Sequence, residues 1–229
     1  MKRTLTTLAL LIVAALPDIS QAMPMRPGPY ITGFIGATMP RRNDDVTTTD
    51  FGTTPNPTFN ERARFDSGVS IGGAGGFDFG FIRLEGELSY KEADINSISD
   101  NTGANRYRDI NGNLGALAFM TNAFFDFHNY TPVTPYVGVG IGFATLHMSN
   151  TFATDQNNNR NLMYPRDDDT VFAYQLGAGL DIALNRRFSL DLGYRYFNTD
   201  WASFSRDQLT SSGVRFESHN ATVGFRTKF

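Results

Sequence analysis

The chain has no cysteine among its 229 residues, so no disulfide framework holds it together. Stability must come from hydrogen bonding and packing. Histidine is scarce: His128, His147 and His219 are the three copies, too scattered to make a shared metal site, and no metal or other cofactor is expected. A cationic excess is also missing. Twenty Lys and Arg against 23 Asp and Glu leave a net charge of −3, which argues against nucleic acid as a partner. Beyond the first two dozen residues there is no apolar run fit to be a membrane helix, and only one tryptophan, Trp201, which heads a long loop as a packing anchor or binding aromatic.

The opening "MKRTLTTLALLIVAALPDISQA" has two cations, an apolar run from about Leu5 to Leu16, and small residues at Ser20 and Ala22. It predicts a cleaved signal peptide over residues 1–22 and a single domain over 23–229. The apolar run is shorter than the roughly 20 residues needed by a spanning helix.

What the remainder has in quantity is glycine, aromatics and a two-residue period. In "RRFSLDLGYRYF", Phe188, Leu190, Leu192, Tyr194 and Tyr196 share one face, and Ser189, Asp191, Gly193 and Arg195 the other. In "FIRLEGELSY", Ile82, Leu84, Leu88 and Tyr90 oppose Arg83, Glu85, Glu87 and Ser89. A soluble sandwich would explain either strand taken singly. Length decides: these runs reach 10 or more residues, against about 5–6 for strands of soluble proteins and about 9–11 for a tilted strand crossing a bilayer.

Eight such segments are predicted, near 30–39, 65–77, 81–92, 110–126, 134–148, 171–184, 187–198 and 216–229. Short turns at "DFG", "HNYTPV" and "NRR" alternate with long polar stretches at 40–64, 93–109, 149–170 and 199–215. This pattern is that of an all-β, eight-stranded antiparallel transmembrane barrel with short periplasmic turns and four long extracellular loops. In hydrocarbon each unpaired edge N–H or C=O costs several kcal/mol, so the last strand, "ATVGFRTKF", is expected to pair with the first, "YITGFIGATM". Tyr30 and Phe229 are then expected side by side at the periplasmic interface, with Tyr90, Tyr194 and Tyr196 in the outer girdle. The phase of the fourth strand is open: either Leu117, Phe119 and Phe125 face lipid, or Leu114, Ala118 and Met120 do.

"TVGFRTKF" resembles the C-terminal signal read by the outer-membrane assembly machinery, with Thr222, Gly224 and Phe229 in the matching positions and a departure at Thr227, where a hydrophobic residue is usual and for which Phe225 is expected to compensate in part. "NAFFDFHNYTPVTPYVGVGIGFA", "FAYQLGAGLDIAL" and "SLDLGYRYF" resemble the OmpA-like superfamily of outer-membrane β-barrels, and within it the surface antigens of the alphaproteobacterial type, the opacity-like porin family. The resemblance implies the outer membrane of a Gram-negative bacterium, contact with its lipids and assembly machinery, a monomer, and host or matrix molecules as partners of the loops. Its motifs are architectural and identify no activity.

Five further motifs stand out. "GVGIG" has its glycines at a strand period with no helix after it, so it reads as space for bulky lumen neighbours, and "GGAGG" (72–76) likewise. In "DQNNNR", Asp155, Asn157 and Asn159 match the start of a calcium loop, but Arg160 replaces the required glycine. Asp167, Asp168 and Asp169 read as a solvated loop edge. "LHMSN" resembles the His-x-Ser-Asn of outer-membrane lipid A deacylases, making His147 and Ser149 a candidate base and nucleophile, with no acid evident to orient His147.

Arg83, Glu85, Glu87, Asp191, Arg195, Arg226 and Lys228 all fall on the inward parity of their strands. A buried charge survives only when paired, so these residues are expected to plug the lumen as an ion network. The leading reading is a non-enzymatic surface protein, a barrel that anchors interacting loops. A small, mostly plugged pore and a deacylase-like enzyme are the alternatives.

Overall fold

A computed structural model describes residues 27–41, 44–50, 58–100, 108–154, 160–164, 166–207 and 210–229. The expected leader over residues 1–22 and the calcium-like Asp155, Asn157 and Asn159 lie outside the described residues. The strands in the first half are β1 (Gly28–Pro40), β2 (Asp44–Asp50), β3 (Thr58–Phe65), β4 (Gly68–Asp78), β5 (Ile82–Asp100), β6 (Arg108–Asn111) and β7 (Asn113–Asp126). Those in the second are β8 (Val133–Met148), β9 (Thr151–Thr154), β10 (Arg160–Tyr164), β11 (Asp167–Ala183), β12 (Phe188–Thr199), β13 (Ala202–Asp207), β14 (Thr210–Val214) and β15 (Glu217–Lys228).

Eight of them close a ring in the order β1-β4-β5-β7-β8-β11-β12-β15, every neighbouring pair antiparallel. Each of the eight predicted segments is one of these strands. Closure is direct: Phe34 of β1 lies opposite Gly224 of β15 on one side and Gly72 of β4 on the other. Alternation then sorts side chains into two sets. Ile35, Ile71, Leu88, Phe119, Ile141, Phe143, Leu176 and Val223 are exposed on the outer wall, while their immediate neighbours point inward and are mostly buried. An apolar outer wall around a closed, backbone-satisfied sheet is the solution hydrocarbon demands.

The tight β4–β5 turn needs its glycine. Gly80 adopts φ +104°, and the Asp78 carboxylate accepts its N–H at 2.6 Å. At the opposite end the long connections carry further strands. β2 and β3 form a hairpin paired to the extension of β5, β14 pairs with β2, and β13 with β14, so the first and last outer connections share one sheet. β6, β9 and β10 form a separate three-stranded sheet.

A closed ring resists detergent because no edge is available for unzipping. Unheated folded protein should therefore migrate at a different apparent mass from boiled protein on an SDS gel. Identical migration with little sheet signal by circular dichroism would contradict closure.

Candidate functional site

The barrel interior has two layers. Toward the turns it is ionic: all seven charged residues expected inside are buried. Arg195 Nη1 donates to Glu87 Oε2 at 2.6 Å, and Arg226 Nη2 to Asp191 Oδ2 at 3.0 Å. Glu85 accepts from the Tyr30 hydroxyl at 2.9 Å. The remaining two pair outside the expected set, Arg83 with Asp126 at 2.8 Å and Lys228 with Asp78; Arg226 also engages Asp181.

Asn122 and Gln175 complete the layer. Asn122 donates to Glu87 at 2.9 Å, and Gln175 donates to Asn122 Oδ1 at 2.7 Å and to Glu87 at 3.1 Å. Each of these three arginines also lies over an aromatic ring: Arg195 over Phe34 at 4.5 Å, Arg226 over Tyr30 at 4.9 Å, and Arg83 over Tyr136 at 4.8 Å. A cavity of about 20 Å³ among Asp78, Asp126, Asp181 and Lys228 has room for about one water.

Sequence reasoning missed Asp78, which fell in the expected "DFG" turn, and Asp126, which ends the predicted segment 110–126, whose phase was open. Each sits in a Phe-Asp-Phe triplet (77–79 and 125–127), and extending the strand parity by one step points the carboxylate inward.

Toward the outer end the interior turns apolar. Ile95, Leu114, Met120, Leu146, Met148 and Phe197 pack with Ala202 and Phe204 of β13, Val214 of β14 and Phe216. The last outer hairpin thus feeds its apolar side into the mouth of the barrel. Lys91, also buried, marks the boundary, its ammonium 4.3 Å from the centre of the Phe197 ring.

This apolar layer explains the fourth strand. Leu117, Phe119 and Phe125 of β7 face outward, whereas Leu114, Ala118 and Met120 are wholly buried inside. The wall is apolar on both faces there, which erases the alternation that would assign its phase.

Glycine makes room as expected along "GVGIG": a Cβ on Gly140 would stand 2.0 Å from Asn122 Oδ1, and one on Gly138 2.2 Å from the Phe124 ring. In "GGAGG" the reading needs correction. Gly72 and Gly76 face crowded neighbours, but a Cβ on Gly75 would meet open space, because odd positions of β4 face outward.

Tyr30 also needs correction. It is 2% exposed and inside the lumen, since the outward set on β1 is Ile31, Ile35 and Met39. Phe229 is 77% exposed and its N–H donates to Pro29 O at 3.2 Å, while Tyr30 lies opposite Lys228 with its ring in the lumen, so the two aromatics do not sit side by side at the interface. Of the other assembly-signal positions, Thr222 and Gly224 face inward and Phe225 outward, stacked on Phe188 with centroids 5.4 Å apart.

His147 and Ser149 sit at the outer end of β8. His147 Nδ1 contacts the Asp168 carboxylate, the acid that sequence reasoning lacked. Ser149 is engaged elsewhere: its Oγ accepts Asn113 N–H at 2.8 Å and donates to Asn113 O at 3.2 Å. The acidic run is not a loop edge. Asp167, Asp168 and Asp169 begin β11, paired with Met148, His147 and Leu146, and Asp169 accepts the Ser203 N–H at 2.8 Å. His219 lies between Tyr194 and Tyr196, His128 packs edge-on against Phe81, and Trp201 lies under the Arg215 guanidinium.

The family model for the outer membrane protein beta-barrel domain matches residues 6–229. The outer membrane protein PagN of Salmonella typhimurium is 28% identical over 152 residues, covering 62% of this chain and 61% of PagN. An outer membrane protein of Gluconacetobacter diazotrophicus is 32% identical over 140 residues, 58% of this chain and 36% of that protein. The chain thus spans less than two thirds of the length of either relative. The crystal structure of the outer membrane protein OprG from Pseudomonas aeruginosa shares the fold, with a TM-score of 0.56 at 16% identity over 90% of this chain and 97% of OprG.

Proposed function

From the premise that this chain belongs to the outer-membrane β-barrel protein family and is embedded in the lipid of a Gram-negative outer membrane, we propose that it is a non-enzymatic surface protein whose barrel anchors four outer connections that contact host or environmental molecules. One observation carries the reading: Phe204 and Val214 of the last outer hairpin, with Phe216 just after it, pack into the apolar cluster at the barrel mouth, which supports an interior that holds the outer sheet over one that forms a passage.

The test is to screen the folded protein against matrix and serum components and then to shorten the β2–β3 and β13–β14 hairpins. Binding should disappear while heat-modifiable migration persists. Undiminished binding by the shortened barrel would remove the proposed role of the outer connections.

The contact between His147 and Asp168 favours one second reading, a deacylase. Against it stands Ser149, whose hydroxyl is occupied by the Asn113 backbone. Cells expressing the protein should show lipid A acyl chains unchanged by mass spectrometry, with or without Ser149→Ala. Loss of one acyl chain, restored by Ser149→Ala, would establish the enzyme instead.

Assembly is proposed to depend on Thr222, Gly224, Phe225 and Phe229. Because Phe229 is mostly exposed, its ring adds little packing to the folded barrel. Phe229→Ala should nevertheless lower the heat-modifiable fraction in outer membranes several-fold at matched expression, since unrecognised chains keep long amphipathic strands open to aggregation. Tyr or Trp at 229 should be tolerated, and Thr227→Phe should be neutral or mildly helpful. Normal insertion of Phe229→Ala would remove this residue from the signal.

A further inference from the structure

The ring is zipped less far on one side of β11 than on the other. β11 pairs with β8 up to Asp167 opposite Met148, whereas its ladder with β12 stops lower, at Ala173 opposite Thr199. Beyond that level β13 takes the place of β12, yet it is the last strand of the outer sheet and forms no ladder with β11 among the described residues. Side-chain chemistry closes the seam instead. Asp200 N–H donates to Phe172 O at 2.8 Å, and beyond it the Asp169 carboxylate accepts the Ser203 N–H at 2.8 Å, standing where a ladder carbonyl would.

The other edge of the same hairpin is held by backbone. β14 pairs with β2 from Thr210 opposite Asp50 to Gly213 opposite Thr47. At the foot of the hairpin, between the pairs Asn198–Glu217 and Ala202–Val214, three residues of one strand face two of the other. That is a bulge, and a bulge bends the ribbon that carries it.

We propose that the β13–β14 hairpin is a lid over the outer mouth, bent at this bulge, hinged along its β14–β2 edge and latched to β11 by Asp169. Its underside is the seal: Ala202, Phe204 and Val214 belong to the buried apolar cluster. Asp169 shares the inward parity of Val171, which packs against that cluster, so latch and seal adjoin. Opening breaks apolar contacts and one charge-assisted hydrogen bond but no β11 ladder, which makes this seam the part of the wall that gives first. The membrane ring stays zipped, because β11 and β12 remain paired from Ala173–Thr199 to Ala183–Ser189. The lid is independent of what the outer connections bind.

The test uses Ala202→Cys, which gives a chain without cysteine a single thiol at a wholly buried position under the lid. In folded barrel in detergent, its rate of reaction with a water-soluble maleimide reads how often the lid opens. Adding Asp169→Ala should raise that rate by about tenfold, the scale of a lost hydrogen bond to a charged group. Asp169→Asn keeps an acceptor oxygen and should raise it less. Asp168→Ala, which removes the neighbouring carboxylate beside His147, should leave it unchanged.

An unchanged rate in Asp169→Ala overturns the proposal. So does an equal rise in Asp168→Ala, which would show fraying of the whole strand end in place of a latch. Heat-modifiable migration reports folding of each variant. If Asp169→Ala does not fold, hydrogen exchange of the unaltered protein carries the test: amides of Ala202–Asp207 should exchange about tenfold faster than those of Phe188–Thr199. Equal protection of the two strands overturns the lid.

Discussion

Replacing Glu87 by leucine should destabilise the barrel by about 3–5 kcal/mol, the usual cost of leaving one member of a buried ion pair without its partner. Glu87 is 1% exposed and accepts from Arg195, Asn122 and Gln175. Its loss strands a guanidinium and two amide groups in an interior with little water. Arg195→Met should cost a similar amount.

The double replacement should recover most of the loss, because an apolar pair of similar volume needs no compensation. Urea unfolding from lipid vesicles measures all three proteins. Single replacements costing under about 1 kcal/mol, the range of exposed ion pairs, would show that water reaches Glu87 and Arg195 and that the ionic layer is open.

A second large effect is expected at the outer mouth. Phe204 and Phe216 are 3% and 1% exposed, and each truncation to alanine should cost about 3–5 kcal/mol. Function should change with stability. Wild-type barrel in planar bilayers is expected to stay closed, since apolar side chains fill the outer half of the lumen and paired ions the inner half. With both rings removed the outer seal has a gap, and only the ionic layer separates the two sides. Discrete conductance steps should then appear in Phe204→Ala with Phe216→Ala. Silence in that variant would place closure in the ionic layer, and large steady steps in wild type would restore the pore reading.

These expectations divide along what one sequence can encode locally. Strand alternation is a local property, so β5 and β12 are legible from one face of Leu or Tyr and one of Arg, Glu or Asp. The ionic layer was half legible for the same reason. Glu87 and Arg195 declare themselves on their own strands, while Asp78 sits where a turn was expected and Asp126 ends the strand whose phase was open. Tyr30 was misplaced because interface aromatics are common. Its own parity, shared with Phe34 and opposed to Ile31, already pointed inward.

The acid beside His147 lies 21 residues away on β11, and only the pairing of His147 with Asp168 brings it near. That pairing depends on how β8 and β11 slide past each other, which composition does not specify. Glu217 between Arg41 and Arg215 is a similar case, since the first contact spans 176 residues.

By itself the sequence determined an eight-stranded closed barrel, its orientation, the lipid-facing residues of most strands and the charges that must be neutralised inside. It did so because a two-residue period and the cost of bare strand edges in hydrocarbon act strand by strand. Tertiary structure decided the phase of β7, the partner of each buried charge, the folding of the outer connections into sheets and the apolar seal of the mouth. Those depend on register and ring closure, which bring side chains from distant strands onto one level, and a one-residue slip would have turned every one of them to the other face.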